Sequence, residues 1–297
     1  MNKVYNIETL PQAATLSPPA KLAVLGYPVA HSASPELHQP ALDAFNLDAT
    51  YIRLEVLPGQ LAAAFDSMKR LGFIGCNVTV PHKFEAIANC DVIDPLALQI
   101  GTVNTVIFDK GSTIGFNSDG PGFMNAMLSA FGLKLGETHS IIYGAGGGAG
   151  QAIATQCALL HPADLTLVNR SLGKIEELAQ RLSAISPGTK IHTLTFDDVD
   201  LVERSHSADL LIQTTSIGLK SDDPSVVPPE CILGKHCVYD TIYQPAETKF
   251  LKHARDKGCK TDNGLSLLIN QGAISFQKWF PGKNPLPIME MAMENRC

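Results

Sequence analysis

Residues 143–151 read YGAGGGAGQ, and their reading decides the architecture of the second half of the chain. They continue an apolar run, HSIIYG (139–144), with the length and composition of a buried strand, and open a helix-forming run that lasts to Leu160. Gly144, Gly146 and Ala149 take the G-x-G-x-x-G/A positions. The first glycine permits a tight turn, and the second lets a pyrophosphate approach the backbone. The third small residue allows close helix–strand packing. Phosphates would then meet unpaired N–H groups at a helix N-terminus, so Gly144, Ala145, Gly146, Gly147, Gly148 and Ala149 are candidate binding residues. A tight structural turn is the other reading of the same glycines.

The next strand favours one cofactor. A site for NAD places an acidic residue about 20 positions on, against the ribose 2′-hydroxyl. Here LTLVNR (165–170) ends in Asn169 and Arg170, with Ser171 next and Lys174 a turn later. Arg170 can fork two donors onto a 2′-phosphate, where an aspartate would repel it, so NADP(H) is favoured. The plainer alternative is that Arg170 and Lys174 solvate a helix start. Further on come a helix (171–185) and strands KIHTLTF (190–196), ADLLIQTTS (208–216) and CVYDTIY (237–243), with a Pro-rich loop at 221–230. This succession, opened by the helix GPGFMNAMLSAFG (120–132), predicts a Rossmann-type parallel sheet with helices on both faces across 120–263.

The first half also alternates. KLAVLG (21–26) reads as a buried strand. A helix with Ser34 as its N-cap and Pro35 in its first turn follows, with Leu37, Ala41, Leu42 and Phe45 on its apolar face. TYIRLEV (50–56) alternates as a strand. A helix ending at Gly72 comes next, then a strand FIGCNVTVP (73–81) and a helix HKFEAIANC (82–90). TVNTVIFDKGSTIGFNSD (102–119) predicts a hairpin turning at DKGS. The expectation is an α/β chain with a β/α domain at 21–119 and a C-terminal helical segment, 264–297, packing back on it. Residues 1–20 are expected to lie over the surface or fray.

Composition narrows the class. A chain of 297 residues with 45% hydrophobic and 18% charged residues fits a two-domain globular enzyme. The net charge of −6 and the lack of Lys/Arg clusters argue against a nucleic-acid surface. Seven cysteines (76, 90, 157, 231, 237, 259 and 297) form no C-x-x-C pair, so no zinc site or disulfide framework is expected and a reducing cytoplasm is the default. No stretch approaches a membrane span.

Polar residues stand in segments that otherwise read as buried: Asn77, Thr79 and Lys83 in NVTVPHK, Asn104 in GTVNT, Asp119 in FNSDG. Alternation sends Val78 and Val80 to one face and Asn77 and Thr79 to the other. Each residue alone reads as a cap, a turn former or a satisfied core amide. Lys83 at a helix start opposes the macrodipole, which points to a functional placement. Reduction of a ketone needs a hydride and a proton for the nascent alkoxide, and a lysine beside an aspartate can supply the latter. Amides, hydroxyls and carboxylates suit a ring bearing hydroxyl groups. In GYPVAHSASPELH (26–38), Ser32 and Ser34 could hold an anion, or Ser34 could only cap the helix.

Six ordered motifs, spanning about Lys21 to Trp279, make the chain resemble shikimate dehydrogenases. They are the serine stretch just quoted, NVTVPHK, GTVNT with FNSDG, GAGGGAG with NRS, DTIYQPAET and NGLSLLINQ. The resemblance implies NADPH-dependent reduction of 3-dehydroshikimate to shikimate, on the route to chorismate and aromatic amino acids. It implies a cleft between the two domains and a C-terminal helix returning to the first. By the same resemblance, Ser32 and Ser34 hold the substrate carboxylate. Asn77, Thr79, Asn104, Asp119 and Gln271 meet the ring, and Lys83 with Asp119 forms the catalytic pair. Asn169, Arg170, Ser171 and Lys174 read the 2′-phosphate, while Tyr243, Gly264 and Thr214, Thr215, Ser216 and Ile217 line the junction of the halves. A small-molecule substrate, no nucleic acid, no membrane and a monomer or homodimer complete the expectation. Gln213 departs from the family's usual asparagine, Ser118 from its threonine and Gln244 from its asparagine. A quinate or dual quinate/shikimate dehydrogenase is the nearest rival, opposed by Ser34 and Arg170. Methylenetetrahydrofolate dehydrogenase and a tRNA-linked glutamyl reductase leave the serine stretch unexplained. A non-catalytic NADP-binding regulator would not need both Lys83 and Asp119.

Overall fold

The computed structural model describes residues 3–294, so Cys297 lies outside the described residues. The chain is α/β and divides into two compact units, residues 1–118 with 269–297 and residues 119–268.

The first unit runs β1 (Val4–Tyr5), α1 (Leu10–Ala14), β2 (Ala20–Gly26), α2 (Ser34–Ala44), β3 (Thr50–Glu55), α3 (Leu61–Arg70), β4 (Gly75–Val78). It continues with α4 (Glu85–Ala88), β5 (Val92–Ile93), α5 (Pro95–Ile100), β6 (Thr105–Asp109) and β7 (Ser112–Phe116). The sheet order is β1-β3-β2-β4-β6-β7-β5. β1, β3, β2 and β4 run parallel, whereas β6 is antiparallel to both β4 and β7. The hairpin turns at Lys110–Gly111, both with positive φ (48° and 86°), which suits the right-handed twist of its strands. Because β6 runs backwards, its first residue Thr105 pairs with Asn77 near the C-terminal end of β4 and with Phe116 at the end of β7. Three segments that are distant in sequence thus reach one sheet edge.

Residues 3–20 differ from the expected surface extension. β1 adds an edge strand to β3, and Tyr5, Leu10 and Ala13 are buried in the core. Two residues of strand leave no alternation to read. The helix expected over 82–90 shrinks to α4, because the Lys83 carbonyl accepts from Val103 N at 3.0 Å instead of capping a helical turn. Lys83 therefore sits in a turn, which weakens the macrodipole argument. β4 stops at Val78, so Val80 leaves the core face and is 67% exposed.

The second unit holds α6 (Asp119–Phe131), β8 (Ser140–Tyr143), α7 (Gly148–Ala158), β9 (Asp164–Val168), α8 (Leu172–Ile185), β10 (Lys190–Leu194), α9 (Leu201–Ser207), β11 (Leu210–Gln213), β12 (Cys237–Asp240), α10 (Lys249–Asp256) and β13 (Lys260–Asn263). All neighbouring strands are parallel, in the order β10-β9-β8-β11-β12-β13. That is the doubly wound order, with its switch point between β8 and β11, where ligands meet the carboxyl ends of strands. α11 (Gly264–Trp279) and α12 (Leu286–Met293) close the chain. The unit boundary crosses α11 between residues 268 and 269, and α12 packs on α2 within the first unit.

Candidate active site

In the first unit, the edge made by β4, β6 and β7 carries a connected set of polar side chains. Asn77 Nδ2 donates to Ser275 Oγ (3.0 Å) and the Asn104 carbonyl (3.2 Å), while its Oδ1 accepts from the Tyr51 phenol at 2.7 Å. Asn104 Oδ1 accepts from Ser118 N (2.8 Å), and Asn104 Nδ2 donates to Ser118 Oγ (3.0 Å). Ser275 Oγ lies 2.7 Å from Thr105 Oγ1 and 3.0 Å from Ser118 Oγ. Ser118 Oγ donates to Gln271 Oε1 at 3.3 Å. Gln271 and Ser275 are four residues apart on α11 and therefore share one face. Asn77, Asn104 and Gln271 are brought together as expected. The amide of Asn77 is engaged on both sides, which makes it a brace for Asn104 and Ser275. Tyr51, Thr105 and Ser275 belong to the same set, yet no motif drew attention to them.

Beneath this set His38 is fully buried, stacked on Tyr51 with ring centroids 4.5 Å apart. Neither of its ring nitrogens has a hydrogen-bond partner of normal geometry. Burial pulls its pKa down to about 3, against a smaller opposing influence of Asn77, so the ring is neutral. Tyr51 is pushed well above the ordinary phenol range, also by burial.

The serine loop follows β2. Ser34 is the first residue of α2, the N-cap is Ala33, and no side chain caps the helix. The expected capping bond of Ser34 is therefore absent. Instead Ser32 Oγ accepts from Ser34 N (3.3 Å) and donates to Ser34 Oγ (3.1 Å), pairing the two hydroxyls. Thr79 and Lys83 lie in the loop after β4, and His82 between them is buried. The His82 ring meets the Val56 carbonyl (2.7 Å) and Glu85 Oε2 (3.0 Å), which ties the turn that carries Lys83. Asp119 is 7% exposed and opens α6 in the second unit.

In the second unit, every candidate cofactor residue follows the carboxyl end of a strand. Gly144 to Ala149 follow β8, Asn169 to Lys174 follow β9, Thr214 to Ile217 follow β11 and Gly264 follows β13; the candidate substrate residue Tyr243 follows β12. Gly144 has φ +91°, and a Cβ there would stand 2.5 Å from Thr215 Cγ2. A Cβ on Gly146 would come within 2.8 Å of Asn169 Nδ2. The first turn of α7 presses on the glycine turn at Gly150, where a Cβ would lie 2.5 Å from the Gly144 carbonyl oxygen. α7 starts after the N-cap Gly147, which carries no side chain to satisfy the first N–H groups. These bare donors and missing side chains fit a pyrophosphate. Arg170 and Lys174 are exposed and have no partner among the described residues, which leaves two cations at the end of β9.

Gln213 is completely buried at the end of β11 and staples the following loop. Its Nε2 donates to the Ile217 carbonyl (3.0 Å), the Thr215 carbonyl (3.3 Å) and Asp240 Oδ1 (3.3 Å), while its Oε1 accepts from Thr215 N. Asp240 also accepts from Thr248 Oγ1 (2.6 Å) and Ile242 N (2.9 Å). Burial raises its pKa to about 6 against those bonds. Asp240 went unread in the sequence, where its only signal is a carboxylate closing an apolar strand. Gly264 admits no side chain, because a Cβ would overlap the Thr241 carbonyl.

Comparison with known proteins agrees with both halves. A family profile described as the shikimate dehydrogenase substrate binding domain matches residues 24–106. A shikimate dehydrogenase (NADP(+)) of Symbiobacterium thermophilum is 37% identical over 273 residues, covering 91% of this chain and 92% of that protein. A crystal structure of a shikimate dehydrogenase in complex with NADP+ superposes with a TM-score of 0.85 at 35% identity, covering 93% of this chain and 94% of the other. The Thermus thermophilus enzyme, solved with NADP(H) and shikimate, gives 0.82 at 32% identity, covering 94% and 100%. Among the described residues no helix is long and apolar enough to cross a membrane, and no group of His, Cys, Asp and Glu could hold a metal ion. With matches that run nearly end to end at this identity, the chain belongs to the shikimate dehydrogenase family.

Proposed function

We propose that this protein catalyses the NADPH-dependent, reversible reduction of 3-dehydroshikimate to shikimate, in a reducing cytoplasm, as a monomer or homodimer. The observation that carries the reading is the coexistence of two built sites on one family frame. One is a hydroxyl-bearing polar edge in the first unit, and the other a glycine turn with free cations at the strand ends of the second. NADPH, when bound, supplies the hydride. Gly144 to Ala149 and the first turn of α7 would take the pyrophosphate. Asn169, Arg170, Ser171 and Lys174 would take the 2′-phosphate, and Thr214 to Ile217 and Gly264 would complete the site, with Tyr243 assigned to the substrate.

In this reading Ser32 and Ser34 each donate a hydroxyl proton to the substrate carboxylate. Thr79, Asn104 and Gln271 bond the ring hydroxyls, held in register by Asn77, Ser118 and Ser275. Lys83 donates to the ketone oxygen as negative charge develops there and delivers the proton that makes the alcohol. Asp119 is the second member of the catalytic pair.

Initial rates with shikimate and quinate, each against NADP+ and NAD+, test the assignment. The expected result is a clear preference for shikimate with NADP+. Arg170→Ala is expected to raise KM for NADP+ about tenfold and leave NAD+ unchanged, as loss of a charge-assisted bond would. Preference for quinate would replace the substrate, and equal losses for both nucleotides would remove the 2′-phosphate role of Arg170.

A further inference from the structure

We propose that Arg53 and Glu36 are positioning residues that clamp the serine loop in the geometry a carboxylate needs. The inference rests on the reading of Ser32 and Ser34 as the carboxylate-binding hydroxyls.

Arg53 lies on β3 and is 4% exposed. Its Nε donates to the Ser32 carbonyl oxygen at 2.8 Å. Its Nη2 donates to both oxygens of Glu36, at 2.6 and 2.7 Å. Ser32 precedes Ser34 by two residues and Glu36 follows it by two. One rigid guanidinium therefore fixes the chain on both sides of Ser34. The clamp leaves the hydroxyls themselves alone, because it takes the carbonyl of Ser32 and the side chain of Glu36. Ser32 Oγ donates to Ser34 Oγ, 3.1 Å away, and rotation about either C–O bond turns these hydroxyl protons toward a ligand.

Charge supports the same assignment. Glu36 stands in the first turn of α2, where the macrodipole favours an anion, and it neutralises Arg53. The loop then offers neutral donors to an anion above a compensated ion pair. No other side chain could replace the fork: a lysine in place of Arg53 would keep the charge but direct its donors from a single nitrogen, and would reach the carbonyl or the carboxylate, not both in the same planes.

The test is initial-rate kinetics on Arg53→Lys, Arg53→Met, Ser34→Ala and the double variant Arg53→Lys/Ser34→Ala. Each is assayed with shikimate and with its methyl ester, and melting temperatures verify folding. Arg53→Lys retains the charge, so it serves even if Arg53→Met does not fold. The expected result for Arg53→Lys is a KM for shikimate raised about tenfold, with kcat and KM for NADP+ unchanged and no added penalty for the ester. The double variant should be no worse than Ser34→Ala alone, since both changes disable the same contact. A wild-type KM in Arg53→Lys, or equal penalties for shikimate and ester, overturns the clamp. If Ser34→Ala itself leaves KM for shikimate unchanged, the carboxylate reading of the serines fails, and the clamp with it.

Discussion

The polar edge of the first unit and the glycine turn of the second are built on opposite principles. The first is assembled from side chains that hold one another: Asn77, Asn104, Thr105, Ser118, Gln271 and Ser275 form one hydrogen-bonded set drawn from two strands, their flanking loops and a helix. The second is assembled from the absence of side chains at Gly144, Gly146 and Gly150, with backbone N–H groups left bare. A network of side chains fails by leaving partners unpaired. A backbone cradle fails when it is filled.

The largest expected contrast concerns chemistry. Lys83→Ala should lower kcat by about two to four orders of magnitude, the range of general acid–base catalysis, while KM for shikimate and for NADP+ moves little. Retained turnover would move the chemical step away from the first unit altogether. Next come the two modes of failure. Gly150→Val should abolish NADP+ binding, seen by calorimetry or fluorescence quenching, and cost about 1–3 kcal/mol of stability through overpacking against the Gly144 carbonyl. Ser275→Val should leave NADP+ binding intact, cost a similar about 1–3 kcal/mol through unpaired Asn77 and Thr105, and raise KM for shikimate. If Ser275→Val weakened the nucleotide as much as the substrate, the two sites would not be independent.

The smallest effect is a pair of opposed pH dependences. The native state keeps His38 neutral down to about pH 3, whereas the unfolded chain takes up that proton near 6.5. Stability from this group therefore rises with pH between those values and is complete above 6.5. Asp240 behaves oppositely. The native state keeps its proton up to about pH 6 and the unfolded chain releases it near 3.8, so its contribution falls as pH rises through that window. Thermal melts from pH 4 to 7 should show a flatter rise for His38→Phe and a steeper one for Asp240→Asn. Unchanged slopes in both variants would show that neither group governs the dependence.

What the sequence disclosed follows the same contrast. The cradle is local: strand, glycines, helix and the basic residues after β9 lie within about thirty residues, and only the tight packing at Gly150 escaped, because it depends on a carbonyl across the turn. Motifs led to Asn77, Asn104 and Gln271. Ser275, Thr105 and Tyr51 could not be read, since what recruits them is the backward course of β6 and the face of α11, not their neighbours in sequence. Ser34 looked like a cap because a hydroxyl before a proline usually is one, yet here the hydroxyl points to Ser32. The short β1 and the curtailed α4 were missed for a simpler reason. Two and four residues are too few for any period to appear.

The packing at Gly150 has one more consequence. A Cβ there would lie 2.5 Å from the Gly144 carbonyl oxygen and 2.8 Å from Thr214 Oγ1, and one on Gly144 would lie 2.9 Å from the same Thr214 oxygen. Gly144 in the turn after β8, Gly150 in the first turn of α7 and Thr214 in the loop after β11 thus crowd one space. Atoms lost at 214 would not make room for either side chain, because a Cβ on Gly150 also meets the Ala145 Cα at 2.8 Å and one on Gly144 meets Thr215 Cγ2 at 2.5 Å. The cradle is thus closed to side chains at both glycines, while the exposed Arg170 and Lys174 beside it meet no such steric limit.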